Sequence, residues 1–260
     1  MSQAVVTTTS KSRLTALARA ELTLLGRSKG TLFAALFVPL MLPFTVLSVV
    51  GEMDMKDAGL TVGTVVLPAA VGFSLLFAVY SALVGIFVTR REELVLKRLR
   101  TGEVRDVEIL AGASLPAVTI GLVQCLVMAA GCAVLLDVSV PEAPHLVVVG
   151  LLSGLVMCAA LAALTASVTR TVESAQVTTL PLLLVSMLGS GIAVPLEMLP
   201  DRLASVCELL PLSPVILLVR DGWTGDLSAY ETLGAVATAG AWTVLALWGV
   251  RRWFRWEPRR

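Results

Sequence analysis

Six apolar stretches, about residues 31–50, 61–88, 109–136, 145–168, 177–194 and 232–250, take up more than half of this chain. About 20 apolar residues in a helix cross the ~30 Å hydrocarbon core of a bilayer. A backbone buried in lipid must satisfy its own hydrogen bonds, which favours helices. The pattern predicts an all-α integral membrane protein with six transmembrane helices. Soluble domains average ~45–50% apolar and ~25% charged residues; here the values are 57% and 15%. No stretch is left for a separate globular catalytic domain. The second and third spans exceed the minimum, which predicts tilt or extension beyond the bilayer. Pro39, Pro43, Pro68, Pro116 and Pro181 lie in or near the spans, where a kink is tolerated if neighbours satisfy the freed backbone groups.

Orientation follows from the lysines and arginines. All but three of the twenty lie on one side of the predicted spans. They fall in the N-terminal segment (Lys11, Arg13, Arg19, Arg27, Lys29) and after span two (Arg90, Arg91, Lys97, Arg98, Arg100, Arg105). The rest follow span four (Arg170) and span six (Arg251, Arg252, Arg255, Arg259, Arg260). Lys56, Arg202 and Arg220 lie on the other side. Both termini are therefore predicted to be cytoplasmic, in a multi-pass protein of the cell membrane. The first ten residues are polar and lack the apolar core and cleavage site of a signal peptide. The first span is accordingly expected to remain as an uncleaved anchor.

Two further segments belong to the membrane surface. Residues 12–29 place Leu14, Leu17, Leu22, Leu24 and Leu25 on one helical face, with Ser12, Arg19, Thr23 and Arg27 opposite. That is the pattern of an interfacial amphipathic helix. Glu21 falls within the apolar arc, where it either meets a protein partner or reaches to water from the helix edge. Residues 195–219 are apolar but carry Glu197, Asp201, Arg202 and Glu208 and four prolines, Pro195, Pro200, Pro211 and Pro214. A plain spanning helix is excluded, and one or two short helices re-entering the outer leaflet are predicted. Such a segment suits an outer gate. Trp242, Trp248, Trp253, Phe254 and Trp256, among arginines, read as an aromatic interface anchor.

The chemistry that the residues could support is narrow. No Gly-x-x-x-x-Gly-Lys-Ser/Thr phosphate-binding loop occurs, so any nucleotide that drives this protein is bound by another chain. Serine hydrolysis needs a Ser–His pair. The single histidine, His145, is predicted at the outer start of span four, whereas Ser114 is predicted near the cytoplasmic end of span three. Ionisable residues at mid-membrane mark ion and proton pathways, and the span centres here are almost free of them. Gln124 is the strongest polar group in span three. An interior this apolar favours a greasy or amphipathic cargo over an ion. Ser74, Ser81, Thr165, Ser186 and Ser190, with the pair Gly150-x-x-x-Gly154, read as helix-packing residues. Cys125, Cys132, Cys158 and Cys207 lack metal-type spacing and read as small buried hydrophobes.

The loop 90–105 stands apart. Leu94, Leu96 and Leu99 interleave with Glu92, Glu93, Lys97, Arg98 and Arg100, and Glu93 to Lys97 has the spacing of a favourable i,i+4 pair. One reading is a basic surface loop that only sets topology. The other, favoured by its helical pattern and mixed charge, is a rigid element on which a partner docks.

With these features the chain resembles the type-2 ABC transporter permeases of the drug- and polysaccharide-exporter branch, over nearly its whole length. The run Glu92-Glu93-Leu94-Val95-Leu96-Lys97-Arg98-Leu99-Arg100-Thr101 resembles the coupling helix of that family. Leu188-Gly-Ser-Gly-Ile-Ala-Val-Pro195, Leu199-Pro200 and Leu210-Pro211-Leu212-Ser213-Pro214 are similar to its signature after span five. One departure is Leu94-Val95, where many members have a glycine-containing turn.

The resemblance implies a permease half without its own ATPase and without a bound cofactor, ATP and Mg belonging to the partner. Two permease halves, as homodimer or heterodimer, would work with two cytoplasmic ABC ATPase subunits in membrane lipid, with no nucleic acid involved. Docking would fall on Glu92, Glu93, Leu94, Lys97 and Arg98, with Glu21 on the N-terminal helix. An outer gate would include Gly191, Pro195, Glu197, Pro200, Pro211 and Pro214. The expected activity is ATP-driven export of a hydrophobic or amphipathic cargo by alternating access. The alternatives are a membrane assembly or anchoring subunit without cargo, and an exporter of glycans.

Overall fold

The computed structural model describes residues 15, 19, 23, 62–101, 104–135, 140–193, 196, 199–225 and 228–257. The predicted first span, residues 31–50, and the site candidates Glu21, Pro195 and Glu197 lie outside them. So does nearly all of the predicted interfacial helix 12–29, of which Thr15, Arg19 and Thr23 are helical and exposed.

Every regular element among the described residues is helical. A continuous rod comprises α1 (Val62–Phe73), a π-helical segment (Ser74–Ser81) and α2 (Ala82–Glu92). There follow α3 (Val95–Arg100), α4 (Asp106–Leu135), α5 (Pro144–Val168), α6 (Val172–Gly189), α7 (Asp201–Cys207), α8 (Ser213–Thr224) and α9 (Ala229–Trp253). Five helices among the described residues are long and apolar enough to cross a membrane. They are the α1–α2 rod and α4, α5, α6 and α9, matching the second to sixth predicted spans.

Their ends differ from the hydropathy reading for local reasons. The fifth span begins at Val172 rather than 177, because Thr171 caps it reciprocally. Thr171 Oγ1 accepts from the Ser174 N–H (3.2 Å), and Ser174 Oγ accepts from the Thr171 N–H (3.0 Å). It stops at Gly189 rather than 194, and two residues on Gly191 takes φ 73°, a conformation that glycine adopts without penalty. The sixth span starts at Ala229 through a second capping box. The Glu231 N–H donates to Ser228 Oγ (3.3 Å), and the Ser228 N–H donates to Glu231 Oε2 (2.9 Å).

The rod is the centre of the bundle: 72% of its apolar window is buried, against 22% for α6. Val66, Leu76, Val79, Leu83, Val84 and Phe87 are essentially inaccessible. Tyr80 lies within hydrogen-bonding distance (3.1 Å) of Thr165 Oγ1 on α5. On α6, by contrast, Val177, Leu180, Leu184 and Leu188 face outward, as expected of a surface that meets lipid or another subunit.

α5 packs on both α8 and α9. Its Gly150 and Gly154 are what let α8 come close: a Cβ on Gly154 would lie 2.8 Å from Leu75 Cδ1 and from Val215 Cγ1. A Cβ on Gly150 would stand 3.0 Å from Leu218 Cβ. The small pair is thus a packing surface, as its spacing suggests. At twelve residues α8 rises about 18 Å, well short of a ~30 Å crossing. α7 is shorter still.

Candidate docking site at the basic end of the bundle

The charged block is not one loop. α2 continues straight through Thr89, Arg90, Arg91 and Glu92, and the chain then turns at Leu94, which has φ 60° and ψ 14°. This left-handed conformation costs a non-glycine residue about 1–2 kcal/mol. Leu94 is the only non-glycine with positive φ among the described residues. The turn is closed by the Glu93 N–H on Thr89 O (2.9 Å) and the Leu94 N–H on Arg91 O (3.1 Å).

α3 then runs from Val95 to Arg100. Leu96 is fully buried, whereas Lys97, Arg98 and Arg100 face outward together with Glu92, Glu93 and Leu94. Three cations in the last turn suit the negative end of a helix. Because the helix breaks at Leu94, Glu93 and Lys97 do not share one helical surface, and the expected i,i+4 pair is replaced. Lys97 Nζ instead meets Glu257 Oε1 at 2.8 Å.

Arg91 is 1% exposed. A buried charge must be bonded on several sides. Its Nη1 donates to Ala166 O (2.7 Å), and its Nη2 donates to Thr169 O (2.6 Å) and Arg170 O (3.3 Å). The guanidinium therefore caps the C-terminus of α5, where carbonyls lack intrahelical partners and the dipole favours a cation. The next residue acts on the opposite pole of the next helix: Glu92 Oε1 accepts from the Val172 N–H (3.2 Å), the first residue of α6. Adjacent residues of opposite charge thus grip the two helix ends on either side of the Thr169–Thr171 connection. Reading the block as a uniform docking surface misses Arg91. Its signal lies in phase, since Val84, Phe87 and Val88 are buried and Arg91 continues their i, i+3, i+4, i+7 face.

The C-terminal aromatics divide between two roles. Phe254 meets Phe87 and Trp256 edge-on, at centroid distances of 6.5 and 5.0 Å. Arg100 stands 5.0 Å over the Trp256 ring and also bonds Asp106 (3.1 Å). These residues brace α3 instead of serving only as a membrane anchor. Trp248 and Trp253 remain exposed, as an anchor requires.

At the far end, Pro200 caps α7, Pro211 lies in the α7–α8 turn, and Pro214 is buried in the first turn of α8. The connection is tied to α9 by Trp242 Nε1, which donates to Leu209 O (2.9 Å). Pro214 lines a cavity of about 500 Å³ with Glu208, Arg220, Asp221 and Glu231. Gly191, Pro200 and Pro211 do not line it. Ser114 and His145 are not brought together. Ser114 Oγ donates to Leu110 O (2.8 Å) near the start of α4, while His145 lies on the first turn of α5, the end away from Arg91.

No curated protein matches this chain. A model of the family described as ABC-2 type transporter matches residues 12–222, a range that takes in the charged hairpin, its α5–α6 clasp and all but the last two residues of α8. On that match the chain belongs to the ABC-2 type transporter family, as a multi-pass membrane permease.

Proposed function

We propose that this chain is the permease half of an ATP-driven exporter and that a separate ABC ATPase docks on α3. The observation that carries the reading is the build of the α2–α3 hairpin. Leu96 fixes α3 to the bundle while Glu93, Lys97 and Arg98 point away from it. A surface-exposed charged helix on a rigid mount suits a cytoplasmic partner, and the Arg91–Glu92 clasp gives its movement a route into α5 and α6. Two such halves would pair through exposed apolar helix faces, with one ATPase each. Closure of the ATPases on ATP would rock the spans outward, the driving term being the difference in affinity between the two states. The α7–α8 segment would line the exit. The apolar helix surfaces favour a hydrophobic or amphipathic cargo.

Charge reversal at Glu93 and Arg98 together is the direct test, in membranes that contain the partner ATPase. Co-purification of the ATPase should fall at least tenfold, and ATP-dependent efflux from reconstituted vesicles should fall with it. Unchanged retention and unchanged efflux would remove the docking assignment.

A further inference from the structure

A second cavity, of about 560 Å³, lies at the basic end between α4 and α9. Its floor is α5, where Ala159, Ala160 and Ala163 leave a trough, and its walls include Leu110 and Val118 of α4 and Val250 of α9. It opens sideways, past Val107, Val156 and Leu247, all exposed. Along α4 the lining runs from Asp106 to Val118, a rise of about 18 Å. One leaflet of hydrocarbon is about half of ~30 Å. The trough is therefore about one leaflet deep and open to the side from which a lipid would come.

Its mouth has a different chemistry. Arg100, Arg251 and Trp256 gather there with a single carboxylate, Asp106. Asp106 is engaged by Arg100 Nε, so the mouth retains a net positive charge. Arg251 forms no salt bridge among the described residues. A guanidinium binds phosphate through paired N–H groups, and tryptophan settles at headgroup level. We infer that this trough is a binding site for one anionic phospholipid of the inner leaflet, with an acyl chain over the α5 alanines and the phosphate on Arg251. The placement rests on the cytoplasmic assignment of the basic end, while the assignment of a lipid goes beyond the transport reading. Because Trp256 and Arg100 belong to both the mouth and the α3 brace, the bound headgroup would tie the docking helix to the bilayer surface.

The test is native mass spectrometry of the purified full chain titrated with phosphatidylglycerol or phosphatidylcholine. Wild type should retain phosphatidylglycerol preferentially. Arg251→Gln should lower that retention about fivefold, the worth of one basic residue at an anionic surface, with little change for phosphatidylcholine. Arg251→Lys should keep the preference. Ala159→Leu, which fills the trough, should lower retention of both lipids. Equal retention of the two lipids by wild type, or retention of phosphatidylglycerol unaltered in both Arg251→Gln and Ala159→Leu, would overturn the inference. Lipid retention needs neither ATPase nor transport, so its failure is separable from failure of the docking test.

Discussion

At the basic end, three helices meet through directional bonds: Arg91 reaches carbonyls at the end of α5, and Glu92 takes an N–H at the start of α6. At the opposite end, α8 lies on α5 through Gly150 and Gly154, by close contact of aliphatic side chains. The first kind of joint has a narrow energy minimum set by hydrogen-bond geometry. The second depends on shape and tolerates small shifts, since each dispersion contact contributes little alone. A helix pair held by the first moves as one piece, whereas a pair held by the second can slide. The bundle thus joins its helices by directional bonds beside the charged hairpin and by shape alone beneath α8.

The most damaging change should be Arg91→Ala. It strips the donor from three carbonyls, and each buried acceptor left unsatisfied costs about 1–3 kcal/mol. Arg91→Lys should recover only part of this, because one ammonium cannot reproduce the planar fork. Denaturant unfolding in detergent micelles reads both variants. A loss below about 1 kcal/mol for Arg91→Ala would abolish the contrast between the two ends.

Next comes Gly154→Val, which drives carbon atoms into Leu75 and Val215. Overpacking of this kind costs about 1–3 kcal/mol. Gly240, whose added Cβ would meet nothing within 4 Å, supplies the comparison. Gly240→Ala should be neutral or stabilising by about 0.4–1 kcal/mol. Similar destabilisation at both glycines, followed by thermal unfolding, would show that close approach is not what Gly154 provides.

The smallest expected effect is favourable. Leu94→Gly removes a left-handed strain of about 1–2 kcal/mol but loosens the unfolded chain by about 0.4–1 kcal/mol. The net gain should be under about 1.5 kcal/mol, read as a modest rise in Tm. Leu94→Ala should give no such rise, since alanine keeps the Cβ that makes the conformation costly. A rise in Tm for alanine equal to that for glycine would locate the effect in the side chain rather than the turn.

Much of this architecture could be read in advance because membrane spans leave long signals. A run of twenty apolar residues needs no tertiary partner to be recognised, and the spans placed at 61–88, 109–136, 145–168, 177–194 and 232–250 each correspond to a helix. Their ends are set by short polar motifs that hydropathy averages away, although Thr171-x-x-Ser174 and Ser228-x-x-Glu231 are visible as capping patterns. The π-helical segment Ser74–Ser81 has no such pattern. In the candidate site, the exposed charges of the hairpin were legible, and Leu94-Val95, which departs from the glycine-containing turn of the resembled family, is where the left-handed turn falls. The burial of Arg91 could be read from its phase, but its partners were hidden because the carbonyls it caps lie 75 to 79 residues away in sequence. The partner of Lys97 was hidden likewise, since Glu257 is brought near only by the C-terminal aromatic tail.

The Arg91–Glu92 clasp has a mechanical consequence. Surfaces that merely abut transmit compression and part under tension. Hydrogen bonds to the α5 carbonyls and from the Val172 N–H resist separation as well as approach. Displacement of the α2–α3 hairpin toward the bundle or away from it should therefore carry the ends of α5 and α6 along. Under the proposed rocking mechanism, a single linkage of this kind would serve a forward stroke and a return stroke alike, without a second contact to reset it.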